Sequence, residues 1–321
     1  VVFNKDKINI DQMRVVYNSM VNHVTYVKGP PGTGKTETIF NVLLSAYAND
    51  KTVLVCSNNN HPVNDIFTKM TKSLTRKVSQ NEEELILFPI IRLGNNEELK
   101  DTILKLRAIL SFADEHQNAR TNDTDTQQNK NKVLSSFKEL KELLKKYEER
   151  QELEDKVAKL KQMMPLAEID VLSDEIGKQI KLQQQKLDST LAVNEEDVTK
   201  YAISAKEDIN FQNFVYDSSL ARIKKILSST NKDLRDIIAI EDLGEAVYKF
   251  NQYLKDDKNL KRFLDIFPIV VCTNLSCEKL GDAKPHFDLC IMDEAGQCNV
   301  ASRLIPVVRA NDLLMGGEPH K

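Results

Sequence analysis

The sequence predicts an α/β fold in which a parallel sheet, covered by helices on both faces, is interrupted by a long all-α, partly coiled-coil segment. Glycine and proline supply the first observation, because they punctuate compact α/β folds and are scarce in long helices. Between Glu97 and Asp265 there are two glycines (Gly177, Gly244) and one proline (Pro165), whereas the other eight of each lie outside. The second observation is a set of short, near-continuous apolar runs in the flanks, the mark of strands buried on both faces. The third is apolar residues at three- and four-residue spacing through the middle, the mark of amphipathic helices.

Along the chain, Val24–Val27 and Thr52–Cys56 read as strands ended by turn or cap chemistry, with a helix over Glu37–Ala48 between them. Pro89–Gly94, Ile269–Cys272, Leu289–Met292 and Asp312–Met315 read as further strands of the same sheet. These flanks, 1–96 and 266–321, form one discontinuous domain, and 97–265 is a helical insertion. Within it, Val133, Phe137, Leu140, Leu144 and Tyr147 recur at helical spacing, and Leu153, Val157, Leu160 and Met164 resume after a break in phase. Beyond Pro165 the stripe Ile169, Leu172, Ile176, Ile180, Leu187, Leu191 repeats the pattern, so two helices over about 132–192 fold back as an antiparallel hairpin. Leu220, Ile223, Leu227 and then Leu243, Val247, Phe250, Leu254 mark helices packed at its base. Thr121–Asn131 is polar and without period, and reads as a mobile loop.

Charge excludes little. The chain carries 45 Lys+Arg against 48 Asp+Glu, a net −3 that rules out a globally basic nucleic-acid binder but not a local basic stripe. No run approaches the ~20 apolar residues of a membrane span, and Val1-Val2-Phe3-Asn4-Lys5 lacks signal-peptide order. The expectation is a soluble intracellular protein without a membrane partner, cytoplasmic or nuclear, present here as an excerpt of a longer chain. Five cysteines (Cys56, Cys272, Cys277, Cys290, Cys298) are too few for a disulfide scaffold. Spacings of four and seven intervening residues, without a nearby histidine, do not read as a zinc ligand set. They read instead as small buried apolar residues. His23, His61, His116, His286 and His320 have no partner set and read as surface or packing residues.

Chemistry concentrates in two segments. Gly29-Pro30-Pro31-Gly32-Thr33-Gly34-Lys35-Thr36 fits G-x-x-x-x-G-K-[ST], after a strand and before a helix. Glycines let the backbone curl around phosphates so that its N–H groups and the helix N-terminus face them. Lys35 would reach the β- and γ-phosphates of ATP, and the Thr36 hydroxyl would sit on Mg²⁺. Phe287–Glu294 is an apolar strand delivering two carboxylates at its C-terminal end: Asp293 to hold the Mg²⁺ and Glu294 to orient and deprotonate water.

Together with Asn9-Ile10-Asp11-Gln12, these segments resemble the Q motif, motif I and motif II (Asp293-Glu294-Ala295-Gly296-Gln297) of superfamily 1 helicases, especially the group typified by senataxin and the nonsense-mediated-decay helicase. Val53–Asn60 resembles motif Ia, and Val270-Val271-Cys272-Thr273-Asn274 the segment before motif II. The resemblance covers the flanks, about half the chain, and implies a RecA-like P-loop NTPase lobe of a 5′-to-3′ helicase. Under it, Gln12 reads the adenine, Gln297 links nucleotide to sheet or second lobe, and Asn59, Asn60 and Thr273 bind phosphates of single-stranded RNA or DNA. The family's Pro-Ser-Asn is replaced by Asn58-Asn59-Asn60, so a serine contact to the strand cannot be assumed. Gly317-Glu318-Pro319-His320 has Glu where motif III has Asp, and under the resemblance Glu318 stands at the γ-phosphate sensor position. The resemblance also implies a second RecA-like lobe bearing arginines. The fragment alone is then a poor ATPase, with Arg303 and Arg309 as surface residues. Lys141, Lys145, Lys146, then Arg222, Lys224, Lys225, then Lys258, Lys261, Arg262, near Tyr147 or Phe250, could track phosphates or solvate helix faces, and the insertion could bind a protein partner.

Two rivals are weighed. A chromosome-maintenance-type coiled-coil ATPase needs a Ser-Gly-Gly signature before its carboxylate strand, where this chain has Thr273-Asn274-Leu275-Ser276-Cys277-Glu278. A nucleotide-gated scaffold without unwinding activity remains the non-enzyme reading.

Overall fold

The computed structural model describes residues 2–3, 9–29, 34–79, 81–119, 123–166, 170–190, 192, 196, 200–201 and 203–317. For 123–126, 129, 132–134, 136–138 and 297 it describes the backbone alone. In chain order the elements are β1 (Val2–Phe3), α1 (Ile10–Val21), β2 (Val24–Lys28), α2 (Lys35–Ala48), β3 (Val53–Ser57), α3 (Asn60–Lys72), β4 (Thr75–Ser79), β5 (Glu82–Leu85), β6 (Ile90–Arg92) and α4 (Asn96–Glu115). There follow α5 (Asp123–Met163), α6 (Asp170–Ser189), β7 (Ile203–Ser204), α7 (Ile209–Lys224), α8 (Lys232–Ile238), α9 (Leu243–Lys255), α10 (Asp257–Ile266), β8 (Ile269–Thr273), β9 (Phe287–Met292), α11 (Val300–Val307) and β10 (Ala310–Gly317).

Two compact units are present, 1–134 with 203–321, and 135–202. In the first, six strands form one sheet in the order β2-β10-β9-β3-β8-β6, every neighbouring pair parallel. The predicted α/β class and the six predicted strands are all found. Strands β3, β8 and β9 are buried along almost their whole length, which is why they read as continuous apolar runs. At the β2 edge, Val24 and Tyr26 are exposed.

One hydrophobic core cluster lies on one face of the sheet. Leu54, Cys56, Ile91, Val270 and Cys272 meet Leu99, Ile103 and Leu106 of α4, Phe250 of α9 and Phe263 of α10. Phe250 and Phe263 pack edge to face at 5.7 Å between centroids, and Phe263 lies 5.1 Å from Phe267. Helices α4, α9 and α10, from the segment read as an insertion, therefore share the sheet's own core. The α4 start is fixed by a capping box, with Asn95 accepting from Glu97 and Glu98 backbone N–H and Glu98 returning to the Asn95 N–H.

In the second unit, α5 runs to Met163 and α6 begins at Asp170. The Arg150 guanidinium donates to the Thr190 carbonyl at 3.0 Å, so the chain folds back as the apolar stripes predicted. Helix α5 has 41 residues, about 60 Å at 1.5 Å per residue. It begins at Asp123, inside the polar stretch expected to be a loop. That stretch contains no glycine or proline to stop a helix, and Lys130 pairs with Asp50. Two pairings had no sequence signal: β1 with β7, two residues long, and the β4–β5 hairpin, whose charged faces pair Arg76 with Glu84.

Candidate nucleotide and nucleic-acid site

The register of the sheet sets the site. Strand β10 lies between β2 and β9, with Gly317 opposite Lys28 and Met315 opposite Met292. The loop after β2 and the carboxylates after β9 therefore leave the sheet at the same edge, on either side of a strand ending in two glycines. A Cβ at Gly316 would lie 3.7 Å from Asp293 Oδ1, an ordinary contact distance that places the carboxylate beside the strand end. At Gly317 a Cβ would come within 3.0 Å of the Gly296 nitrogen, so the strand end and the turn after Glu294 touch backbone to backbone.

Gly34 opens α2 in the left-handed region, φ +81°, a conformation that favours glycine. A Cβ there would meet Gln12 Nε2 at 3.1 Å, so the α1 amide sits against the end of the phosphate-loop pattern. Helix α1 itself is started by Asn9, whose side chain accepts from the Asp11 N–H at 2.7 Å. A cavity of about 450 Å³ is lined by Asn9, Gln12, Lys28, Gly29, Lys35 and Thr38, among others. A smaller one beside it is lined by Lys35 and Asp293, with Gly316 between. Thr36 is exposed in the first turn of α2. Pro30, Pro31, Gly32 and Thr33 lie outside the described residues, as do Glu318 and His320.

Asp293 is 6% exposed. Burial pushes its carboxyl above the ordinary carboxylate range, and the Glu294 charge adds to this. The Glu294 N–H, donating to Oδ1 at 2.9 Å, and the Lys35 charge oppose it. A carboxylate held at this cost, facing a lysine and a helix N-terminus, forms an acid–base pair of opposite charges around an open space. Glu294 itself is in the left-handed region, φ +54°. Its carboxylate has no hydrogen-bond partner among the described residues and stays available.

The AAA domain family profile matches residues 7–320. A stretch of 103 residues, 32% of the chain, is 30% identical to DNA polymerase alpha-associated DNA helicase A of Schizosaccharomyces pombe, of which it spans 14%. The chain belongs to the AAA domain family, as a superfamily 1 helicase-like protein.

The residues expected to contact nucleic acid lie on neighbouring strand ends. Thr273 is opposite Ser57, two residues before Asn59. Asn59 caps α3 by backbone position without a side-chain bond. The Asn60 carboxamide oxygen accepts from Arg92 Nη2 at 2.8 Å, and Thr273 Oγ1 pairs with Ser276 Oγ at 2.8 Å. Sequence reasoning missed Arg92. It is 6% exposed, donates also to Asn64 at 3.0 Å and to the Leu93 carbonyl, and meets Glu98 at 3.2 Å. Burial pulls its guanidinium below the ordinary value, with Glu98 opposing. It ties the start of α3 to the start of α4. A lone arginine ending an apolar strand was the one available signal.

Other expectations change. Arg309, read as a surface residue, is 6% exposed, because it follows α11 into the sheet and donates to the Leu280 and Ile305 carbonyls. Phe250 is in the core and cannot stack on a base. Arg222, Lys224 and Arg262 donate to the Asp265, Ala119 and Thr230 carbonyls, whereas Lys258 and Lys261 of the same clusters are exposed. Of Gln297 only the backbone is described.

Among the described residues no helix is long and apolar enough to cross a membrane.

Proposed function

We propose that 1–96 and 266–321 form the first RecA-like motor lobe of an ATP-dependent helicase or translocase acting on single-stranded RNA or DNA, with 97–265 as its helical insertion. The observation that carries this is the convergence of Lys35 and Asp293 on one space beside Gln12 and the Gly34 helix start.

Mg-ATP fits this donor set. Asp293 is a buried carboxylate with no hydrogen-bonded cation among the described residues, and Gly34 leaves a bare backbone where a side chain would crowd Gln12. Thr36 and Asp293 would hold Mg²⁺, which supplies neutralising charge to the phosphate oxygens when bound. Gly29–Thr36 offers backbone N–H donors, and Lys35 adds a point charge for the terminal phosphates. The Gln12 amide both donates and accepts, which suits an adenine edge. The Glu294 carboxylate, without a hydrogen-bond partner among the described residues, orients a water and takes its proton. Asn59, Asn60 and Thr273 hold backbone phosphates without reading bases. A second RecA-like lobe of the full-length protein would close on the nucleotide, Gln297 linking to it, and the helical insertion offers a surface for a protein partner. The location this implies is intracellular.

The test uses the full-length protein with a fluorescent ATP analogue, Mg²⁺ and a turnover assay. Lys35→Ala weakens binding at least about tenfold, through loss of a charge-assisted phosphate contact. Glu294→Gln keeps affinity and lowers turnover by about 10²–10⁴-fold. Wild-type turnover in Glu294→Gln sinks the assignment of the base, and wild-type binding in Lys35→Ala sinks the phosphate loop.

A further inference from the structure

Four of the five cysteines meet inside the sheet. Cys56 of β3 and Cys272 of β8 are register partners on neighbouring strands, and the short turn Leu275–Lys279 after β8 folds Cys277 back onto both. Their sulfurs are 4.0 Å (Cys56–Cys272), 3.2 Å (Cys56–Cys277) and 3.3 Å (Cys272–Cys277) apart, and all three residues are fully buried. From the other side of β3, the buried Cys290 thiol of β9 adjoins that of Cys56. Cys298 stands apart, taking the Asn274 amide at 3.3 Å.

We propose that Cys56, Cys272 and Cys277 bind a thiophilic divalent ion, Zn²⁺. Geometry is the first argument. An ion placed about 2.3 Å from each of three sulfurs this far apart sits about 1 Å out of their plane, the pyramid of a tetrahedral site with one position left. Ligand softness is the second: thiolates without carboxylate or imidazole select zinc-class ions. Charge is the third. Arg309 is buried, donates only to carbonyls at 3.1 and 2.7 Å, and has no carboxylate in ion-pair reach among the described residues. A buried cation without an anion is costly, and Arg309 and Arg92 both act electrostatically on Cys272. Zn²⁺ with three thiolates carries one negative charge and supplies the counter-charge that Arg309 lacks, Arg92 already facing Glu98 at 3.2 Å.

The site is closed, so the ion enters as the sheet forms and contributes to folding. It pins β3, β8 and the turn after β8 together just behind Asn58–Asn60 and Thr273. The sequence concealed it because neither cysteine spacing nor composition reveals that β3 and β8 are neighbours in register.

The test is elemental analysis of the purified full chain, prepared without chelator or immobilised metal, followed by refolding in Co²⁺. Wild type is expected to hold about one Zn²⁺ per chain and, with Co²⁺, to show thiolate charge-transfer and visible ligand-field bands. Cys277→Ser loses the ion and those bands, while Cys298→Ser keeps both. Should Cys277→Ser fail to fold, the wild-type zinc content and Co²⁺ spectrum still decide. Under about a tenth of an ion in wild type, with no thiolate band on refolding in Co²⁺, overturns the proposal. So does a Cys298→Ser variant that loses the ion as Cys277→Ser does.

Discussion

The two compact units hold themselves together by different means. The sheet unit buries a continuous cluster of large side chains, with Phe250, Phe263, Phe267 and Leu54 at or near zero exposure. The helical unit buries only a thin set among its described residues, Leu140, Leu144, Val157, Ile176 and Leu187, and lines its surface with pairs such as Glu152–Lys156 and Arg150–Glu154. Near its turn Met163, Leu166, Val171 and Leu172 are exposed. Burial scales with apolar area removed from water, whereas exposed ion pairs contribute tenths of a kcal/mol each. The difference teaches that mutational cost should depend on which unit is struck far more than on residue type.

The sharpest way to break that contrast is a matched pair of truncations. Phe263→Ala empties a site packed by two aromatic rings and should cost about 3–5 kcal/mol in denaturant unfolding. Leu144→Ala, equally buried by exposure, should leave the main transition in place and raise amide exchange within 135–202 alone. A main transition that falls with Leu144→Ala would show that the two units unfold as one. Next in size, Asn95→Ala removes the α4 capping box inside the sheet unit and should cost about 1 kcal/mol.

Two surface changes sharpen the lower end. Lys284 and the Asp282 backbone N–H hold the Asp257 carboxyl below its ordinary value, with His286 adding to it. A depressed carboxyl contributes stability above its unfolded value that is lost as pH falls through the folded one. The stability gap between wild type and Asp257→Asn should therefore be constant near neutrality and close below about pH 4. A gap that widens on acidification would reverse the sign and refute it. Smallest of all, Lys156→Ala should change stability by no more than about 0.5 kcal/mol, and that remnant should vanish in high salt.

Legibility followed the same division. The central strands β3 and β8 were readable because burial on both faces forces unbroken apolar, β-branched runs, Val53–Cys56 and Ile269–Cys272. The phosphate-loop pattern and the Asp293-Glu294 pair, on which the proposed site rests, stand out in the sequence because such chemistry asks for particular residues at fixed local spacing. What depends on register was not readable. Gly317 looks like any turn residue, yet it lets the Gly296 turn approach backbone to backbone. Arg309 looks like a surface cation until the sheet closes around it. The β4–β5 hairpin was hidden because Arg76 and Glu84 pair across it with no apolar alternation to betray a strand. Helix α4 was assigned to the middle by its low glycine content, although its Leu99, Ile103 and Leu106 complete the sheet's own core.

Strand β10 has one more consequence. It separates the strand that feeds Gly29 from the strand that delivers Asp293, so those two chain exits stand two strand spacings apart, about 9.5 Å. That width is cut by main-chain hydrogen bonding and by two residues that carry no side chain. No rotamer can widen or narrow it. The slot between lysine and carboxylate is thus gauged by the backbone ladder itself, and only a change that slides β10 along its neighbours would alter what fits there.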